Sequence, residues 1–277
     1  MHTSTSRAKA RRADGWIVGP PSPTAPAVRL FCLPYVGGAA SVYEPWRGAL
    51  GGDVEVCPVE LPGHQTRLRE RALTRIDELV DALASALADE LDVPYALFGH
   101  SLGSLVAFEL ARELRRRGAG EPRALFVSGG PAPRLPRTHP PVHEASEAEV
   151  VARLRMLGGL PDEVLAEPEL LGRFLPTIRA DFAVFETYAF TPERPLTCPV
   201  VAFTGSEDTD VPLDRVEPWS AESTGRFEHH VLPGGHFFVH TARTALLNLV
   251  RGELTGPASH HDQDSRRTVD QQAPFRR

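Results

Sequence analysis

The sequence is short of cysteine and has no long apolar run. Its three cysteines, Cys32, Cys57 and Cys198, lie in or beside apolar segments, where small buried thiols usually occur. Their odd number and wide spacing predict neither a disulfide framework nor a zinc site. No stretch approaches the roughly eighteen apolar residues of a membrane span, and no apolar segment of an export signal follows the basic N-terminus. We therefore expect a cytoplasmic protein that is not embedded in a membrane.

Positive charge is also in deficit. The chain has 30 Lys and Arg against 36 Asp and Glu, a net charge of -6, and its arginines are spread among the acids. A nucleic-acid partner is therefore not expected, because binding to phosphates needs a concentrated basic surface. With 277 residues, of which 42% are hydrophobic, the chain can bury one full-sized core.

The two ends contain few residues that could form a core. Residues 1–26 combine basic residues with a proline-rich run, and residues 255–277 are almost entirely polar. Segments of this composition cannot bury enough apolar surface to offset the entropy cost of ordering. The sequence predicts disordered ends around a single domain over residues 27–254.

Short apolar runs alternate with helical patterns inside that domain. Helical spacing covers Thr74–Leu91, with Thr74 as a candidate N-cap, and Leu102–Arg117, which Gly118 follows as a candidate C-cap. Strands that alternate with helices predict an α/β fold with a mostly parallel central sheet flanked by helices. The six strand-like runs are Val28–Leu33, Val54–Leu61, Tyr95–Phe98, Ala124–Ser128, Val200–Thr204 and Phe227–Leu232.

This alternation stops between residues 131 and 195. Ser146–Leu157 and Pro161–Tyr188 have helical patterns with no strand between them, and they are rich in Leu and Phe. One interpretation is a small helical subdomain that buries its own faces. We favour a helical lid inserted into the fold, because helices that line a ligand cleft are a common arrangement.

The strongest local motif is GHSLG at residues 99–103. It directly follows a predicted strand and directly precedes a predicted helix. The five residues alone also fit an ordinary turn. In this context they predict the nucleophile elbow of an α/β-hydrolase, a sharp turn that presents Ser101 as the nucleophile.

A glycine-containing loop, LPYVGGAA at residues 33–40, follows the first strong strand. The α/β-hydrolase fold draws one backbone N–H of its oxyanion hole from this position and the other from the residue after the nucleophile. We therefore expect the N–H groups of Leu102 and Val36 as donors, with Tyr35 as the alternative to Val36. A plain glycine-rich turn is the other interpretation.

The histidine of a catalytic triad should follow the last strand, and LPGGHFF at residues 232–238 places His236 there as the general base. Three other histidines, His229, His230 and His240, lie close by in sequence. Their spacing matches no helical His pair and no carboxylate or cysteine pattern accompanies them, so we interpret them as surface or packing residues and expect no metal.

The triad acid should lie in the loop GSEDTD at residues 205–210, which contains three carboxylates. We favour Asp208, because a short loop after the strand should turn it towards the imidazole. Glu207 and Asp210 remain as alternatives.

Taken together, these motifs resemble the type II thioesterases, stand-alone editing enzymes of polyketide and nonribosomal peptide assembly lines. The likeness spans about residues 28–254. In that family the triad corresponds to Ser101, Asp208 and His236, and the oxyanion donors to Leu102 and Val36. The chain differs at Val36, where the family usually has Ala, and at Leu102, where it commonly has Met. The shared motifs are LPYVGG (33–38), ELPGHQTRLRE (60–70), GHSLG (99–103), LPTIRADFAVFETY (175–188), GSEDTD (205–210) and LPGGHFFV (232–239).

The resemblance implies hydrolysis of acyl groups from the phosphopantetheine thiol of an acyl or peptidyl carrier protein, with no cofactor of the enzyme's own. Carrier proteins are usually acidic, so Arg153, Arg155 and Arg173 of the predicted lid are candidates for docking. A general carboxylesterase or acyl-CoA thioesterase is an alternative, because fold and triad do not specify the leaving group. A non-catalytic protein that only binds carriers is a second alternative.

Overall fold

The computed structural model describes residues 11–158 and 167–256. The predicted disorder of residues 1–10 and 257–277 and the predicted helix over residues 161–166 fall outside these ranges.

A six-stranded sheet forms the centre of the fold, in the order β4-β3-β5-β6-β7-β8, and every neighbouring pair in it is parallel. A separate two-stranded antiparallel sheet pairs β1 with β2. The strands are β1 (Arg11–Arg12), β2 (Ile17–Val18), β3 (Val28–Leu33), β4 (Val54–Pro58), β5 (Tyr95–His100), β6 (Leu125–Ser128), β7 (Val200–Gly205) and β8 (Phe227–Leu232). All six predicted strands are present, within three residues at either end.

Within residues 11–158 and 167–256 the α-helices are α1 (Ile76–Leu87), α2 (Leu102–Arg116), α3 (Glu147–Leu157), α4 (Pro168–Glu186), α5 (Phe238–Thr241) and α6 (Arg243–Thr255). Short 3-10 turns cover Ala13–Gly15, Ala40–Trp46, Gln65–Arg67, Ala88–Glu90, Leu213–Arg215 and Glu217–Ala221. Gly118 follows α2 with φ +77°, which fits the predicted C-cap. The predicted N-cap at Thr74 is wrong, because α1 begins after Arg75 and no side chain caps it.

The two faces of the sheet bury separate hydrophobic clusters. Phe31 and Leu97 face α1 and α2, whereas Leu30 and Phe98, their neighbours along the same strands, pack with Trp46 and residues of α6. Side chains of a strand alternate between the two faces, and helices cover both of them. This explains why the strands read as continuous apolar runs rather than as alternating patterns.

The register of the strands determines where the loops meet. Leu33 pairs with Gly99, so the loop after β3 and the turn after β5 begin side by side. Gly205 pairs with Leu232, which brings together the loops after β7 and β8. All four loops lie at the carboxyl ends of parallel strands, the edge where α/β folds usually bind ligands.

The expectation of a disordered N-terminal segment does not fit residues 12–18. Trp16, Ile17 and Val18 are buried, and the Glu60 N–H donates to the Trp16 carbonyl at 2.8 Å. Arg12 also forms an ion pair with Glu90 at 2.6 Å. A run of only three apolar residues in a polar context did not predict a buried segment. In the structure these three residues complete the core beside β4.

The described part of residues 131–195 contains helices and no strand, as the sequence predicts. Ser146 caps α3 through a reciprocal capping box with Glu149, which satisfies two N–H groups at the start of the helix. The two helices share a small apolar cluster composed of Val150, Val151, Leu154, Leu171, Ile178 and Phe182, and Val36 packs against it. Within the described ranges, no helix has both the length and the apolar character needed to cross a membrane.

Candidate active site

Ser101 occupies the sharp turn between β5 and α2 with φ +54° and ψ -115°, a strained conformation for a residue that is not glycine. The turn is possible because a glycine stands two residues before Ser101 and another two residues after it. A Cβ on Gly99 would lie 1.9 Å from the Gly103 carbonyl oxygen, and one on Gly103 would lie 2.2 Å from the Leu33 carbonyl oxygen. The two glycines therefore allow the backbone contacts that hold the serine at the sheet edge.

The structure brings together the three residues proposed for the triad, with His236 between Ser101 and Asp208. Its Nε2 is 3.1 Å from the Ser101 Oγ, and its Nδ1 is 2.9 Å from Asp208 Oδ2. An imidazole that donates its Nδ1 proton to a carboxylate has its Nε2 free to accept a hydroxyl proton, so this arrangement is suited to general-base chemistry.

Backbone donors hold the carboxylate of Asp208 in place. Its Oδ1 accepts the N–H groups of Asp210 at 2.9 Å and Val211 at 3.1 Å, which leaves Oδ2 to face the imidazole. The two alternatives in this loop lie elsewhere. Glu207 is exposed, and Asp210 Oδ1 lies 2.6 Å from Arg153 Nη1, without hydrogen-bond geometry, and 3.2 Å from His139 Nε2. Of the three carboxylates, only Asp208 contacts His236.

A second histidine, His100, lies beneath the triad and is fully buried. Its Nδ1 is 2.9 Å from the Ser128 Oγ, and its ring centroid is 5.4 Å from that of His236. Burial is the main cause that lowers the pKa of His100 well below its usual value, and the neighbouring His236 adds to it. A neutral ring packs beside His236 without a competing positive charge.

The loop after β3 forms a tight turn beside the serine. The Gly38 N–H donates to the Tyr35 carbonyl at 2.8 Å and Gly37 has φ +71°, features typical of a type II turn. Val36 lies within this turn and lines the cavity next to Ser101, and Leu102 is the first residue of α2. Both expected oxyanion residues thus adjoin the nucleophile.

A cavity of about 430 Å³ opens from Ser101 towards the helical insertion. Phe182 and Phe185 of α4 and Leu157 of α3 contribute apolar walls, so the insertion borders the site as a lid would. Phe174, also on α4, is 43% exposed. Polar groups also line the cavity, namely Arg134, Arg137, Thr138, His139, Arg153, Glu186, Tyr188, Asp210 and Arg215.

The other sequence candidates have different surroundings. Arg153 faces the cavity beside Asp210 and is largely buried, which differs from the expected docking charge, whereas Arg155 and Arg173 are exposed. The three nearby histidines each have their own polar partner: Thr204 for His229, Glu228 for His230 and Tyr35 for His240. These contacts fit packing roles.

Sequence reasoning missed a buried pair next to this site. His64 Nε2 and Asp181 Oδ2 are 3.0 Å apart, and the same carboxylate oxygen accepts the Gly37 N–H at 2.7 Å. Both residues lie in motifs that carry the family resemblance, at residues 60–70 and 175–188. The motifs signalled importance, but no spacing along the chain indicated that they meet.

Acyl transfer through a serine requires an activated hydroxyl, an oriented base and an exposed turn that a substrate can reach. The chain supplies all three features at the carboxyl edge of a parallel sheet flanked by helices. It is therefore a serine hydrolase of the α/β-hydrolase fold. The family model for the thioesterase domain matches residues 28–254, and the chain belongs to the thioesterase family.

Known proteins of similar sequence and structure define the subgroup. Linear gramicidin dehydrogenase LgrE of Brevibacillus parabrevis is 38% identical over 91% of this chain and 94% of its own. The RedJ thioesterase of the prodiginine pathway of Streptomyces coelicolor is 42% identical over 83% of this chain and 87% of its own, with a TM-score of 0.78. BorB, the type II thioesterase of the borrelidin cluster, is 39% identical over 89% of this chain and 100% of its own, with a TM-score of 0.80. The chain is a type II thioesterase of the polyketide and nonribosomal peptide kind.

Proposed function

We propose that the chain hydrolyses acyl thioesters on the phosphopantetheine arm of acyl or peptidyl carrier proteins, with Ser101 as nucleophile, His236 as general base and Asp208 as the acid that orients it. The observation that carries this proposal is the hydrogen-bonded series Ser101–His236–Asp208, whose serine lines a cavity of about 430 Å³. The cavity provides room for an acyl chain next to the hydroxyl that would attack it.

The reaction proceeds in two halves. The Ser101 Oγ attacks the thioester carbonyl carbon while His236 Nε2 takes the hydroxyl proton. The N–H groups of Leu102 and Val36 stabilise the oxyanion, and Asp208 stabilises the imidazolium that forms. The tetrahedral intermediate collapses, the carbon–sulfur bond breaks, and His236 gives its proton to the departing thiolate. Water, deprotonated by His236, then attacks the acyl-serine and releases the carboxylic acid and free Ser101.

The carrier as substrate is supported by the relatives. RedJ and BorB are named for biosynthetic pathways, and structures of ClbQ and YbtT are described as parts of NRPS/PKS pathways. A stand-alone enzyme of such a pathway would clear stalled or mis-primed chains from the carrier. We place this activity in the cytoplasm, because Cys32, Cys57 and Cys198 are free, buried thiols of the kind found in reducing compartments.

The name of one relative, LgrE, includes a dehydrogenase activity, and we do not extend it to this chain. A dinucleotide-binding sheet usually carries G-x-G-x-x-G in the first strand-to-helix turn. The sequence contains no such motif, and GHSLG occupies the turn after β5. A carboxylesterase would use the same triad as a thioesterase. The two activities are distinguished experimentally by comparing hydrolysis of a thioester with hydrolysis of the matched oxygen ester.

The test combines the nucleophile with the leaving group. Ser101→Ala should fold normally and lose a factor of about a thousand or more in turnover of an acyl-carrier protein, followed by mass spectrometry of the phosphopantetheine arm. Ser206→Ala, an exposed serine on the loop that bears Asp208, is the matched control and should keep full activity. Near-normal turnover by Ser101→Ala would contradict the assignment. Faster hydrolysis of the matched oxygen ester than of the thioester would favour a carboxylesterase.

A further inference from the structure

One buried carboxylate of the helical insertion binds the backbone of the loop after β3. Asp181 of α4 accepts the Gly37 N–H at 2.7 Å, and the same oxygen lies 3.0 Å from His64 Nε2. The Asp181 side chain is 5% exposed and that of His64 is 4% exposed. A buried carboxylate therefore holds the turn that contains Val36, the residue next to Ser101.

His64 fixes the carboxylate from the other side. Its Nδ1 lies 3.2 Å from the Pro62 carbonyl and its Nε2 faces Asp181, so both ring nitrogens meet acceptors and the ring acts as a double donor. Burial lowers the pKa of His64, but the charge of Asp181 and its hydrogen bond outweigh burial and leave the pKa raised. Glu60 also faces His64, and the buried Arg67 hydrogen-bonds the Glu60 carbonyl.

A buried ion pair contributes little net free energy to the stability of the fold. Removing two charges from water costs several kcal/mol per ion, and well-packed apolar residues in the same place are often as stable or more so. Oxyanion stabilisation, in contrast, needs donors held within a few tenths of an ångström of the developing charge. The α4 helix packs closely enough to impose such precision, since a Cβ on Gly37 would lie 3.2 Å from Ile178.

We propose that Asp181, oriented by His64, is a positioning residue that fixes the Tyr35–Gly38 turn and thereby places the Val36 N–H for the oxyanion. This inference rests on the proposed function, because it assumes acyl transfer at Ser101. It also makes the insertion part of the catalytic framework, since α4 supplies the carboxylate that shapes the site.

The test compares variants of one helix face. Asp181→Ala removes the acceptor of the Gly37 N–H, and Asp181→Asn keeps an oxygen that can accept it. Thr177→Val is the matched control, because Thr177 lies one turn earlier on α4, is buried, and donates its hydrogen bond to the Gly63 carbonyl at 3.0 Å rather than to the Tyr35–Gly38 turn. Active sites are counted with a serine-directed fluorophosphonate, so that misfolded protein does not enter the rate.

We expect kcat per active site to fall by about 10²-fold to 10³-fold in Asp181→Ala, the cost of a lost oxyanion donor, with KM changed by less than about threefold. Asp181→Asn should recover part of the loss, and Thr177→Val should stay near the wild type. A kcat of Asp181→Ala that stays near the wild-type value, like that of Thr177→Val, overturns the proposal. A loss of the same size in both variants also overturns it, because it would indicate that both residues only anchor α4.

A second measurement covers the case in which Asp181→Ala does not fold. A trifluoromethyl ketone forms a tetrahedral oxyanion on Ser101, and hydrogen exchange reports the order of residues 34–39. We expect weaker inhibitor binding and faster exchange in Asp181→Asn than in Thr177→Val. No difference in either quantity overturns the proposal. Both readouts are independent of the natural acyl group, so they remain decisive if the carrier protein proves not to be the substrate.

Discussion

The assignment of the triad depends most on Asp208, because three carboxylates share its loop. Asp208→Asn should lower kcat by about 10⁴-fold, since an amide would favour the wrong histidine tautomer while leaving the geometry intact. Steady-state kinetics on any acyl thioester measures this loss.

Glu207→Gln and Asp210→Asn are the matched controls for Asp208. Glu207 is exposed, and Asp210 meets Arg153 and His139 rather than His236. Both variants should stay within about tenfold of the wild type. A steep loss at Asp210 with Asp208 spared would move the acid two residues along the chain.

The buried pair of His64 and Asp181 predicts a pH dependence of stability. Because the pKa of His64 is raised in the folded protein, the folded state binds more protons than the unfolded chain above pH of about 6.5. The contribution of the pair is therefore complete below that pH and is lost as the pH rises through the raised pKa. Asp181 and Glu60 face the ring and favour its charge, and Arg67 lies beyond Glu60.

Thermal unfolding checks this sign. The Tm of the wild type should exceed that of His64→Gln by less at pH 9 than at pH 6. The difference in Tm between the wild type and Thr177→Val should stay constant over this range, because the substitution of Thr177 removes no titrating group. An advantage that grows with pH would mean that His64 is neutral in the folded protein.

The elements that could be predicted from the sequence are those with short-range patterns. Apolar runs of four to eight residues indicated the six strands, and GHSLG between a strand and a helix indicated the elbow. His64 and Asp181 are 117 residues apart and meet only because α4 packs over the loop after β4. The N-terminal segment was misjudged for the same reason, since the burial of Trp16 depends on a distant surface.

Helix α4 should determine which acyl chains fit. Phe185 lines the cavity, so Phe185→Trp should reduce kcat/KM for a decanoyl thioester by roughly tenfold more than for acetyl. Phe174→Trp, on the same helix but 43% exposed, is the control and should leave the ratio unchanged. An unchanged ratio in Phe185→Trp would mean that this wall does not contact the acyl chain.

In the whole molecule, the insertion and the catalytic loops form one connected unit. Arg153 of α3 lies 2.6 Å from Asp210, two residues after Asp208, and Asp181 of α4 binds the Gly37 N–H. Helices α3 and α4 therefore contact loops that carry proposed catalytic groups. Of the three arginines expected to meet an acidic carrier, Arg155 and Arg173 are exposed.

The central claim is that the thioester is presented by a carrier protein. Contacts to the carrier and its arm would position the carbonyl against Ser101, and a truncated substrate would lose that binding energy. The direct measurement is kcat/KM for one acyl group on a carrier protein, on coenzyme A and on a short thiol. We predict a value for the carrier at least about tenfold above the other two, and equal values for all three would contradict the account.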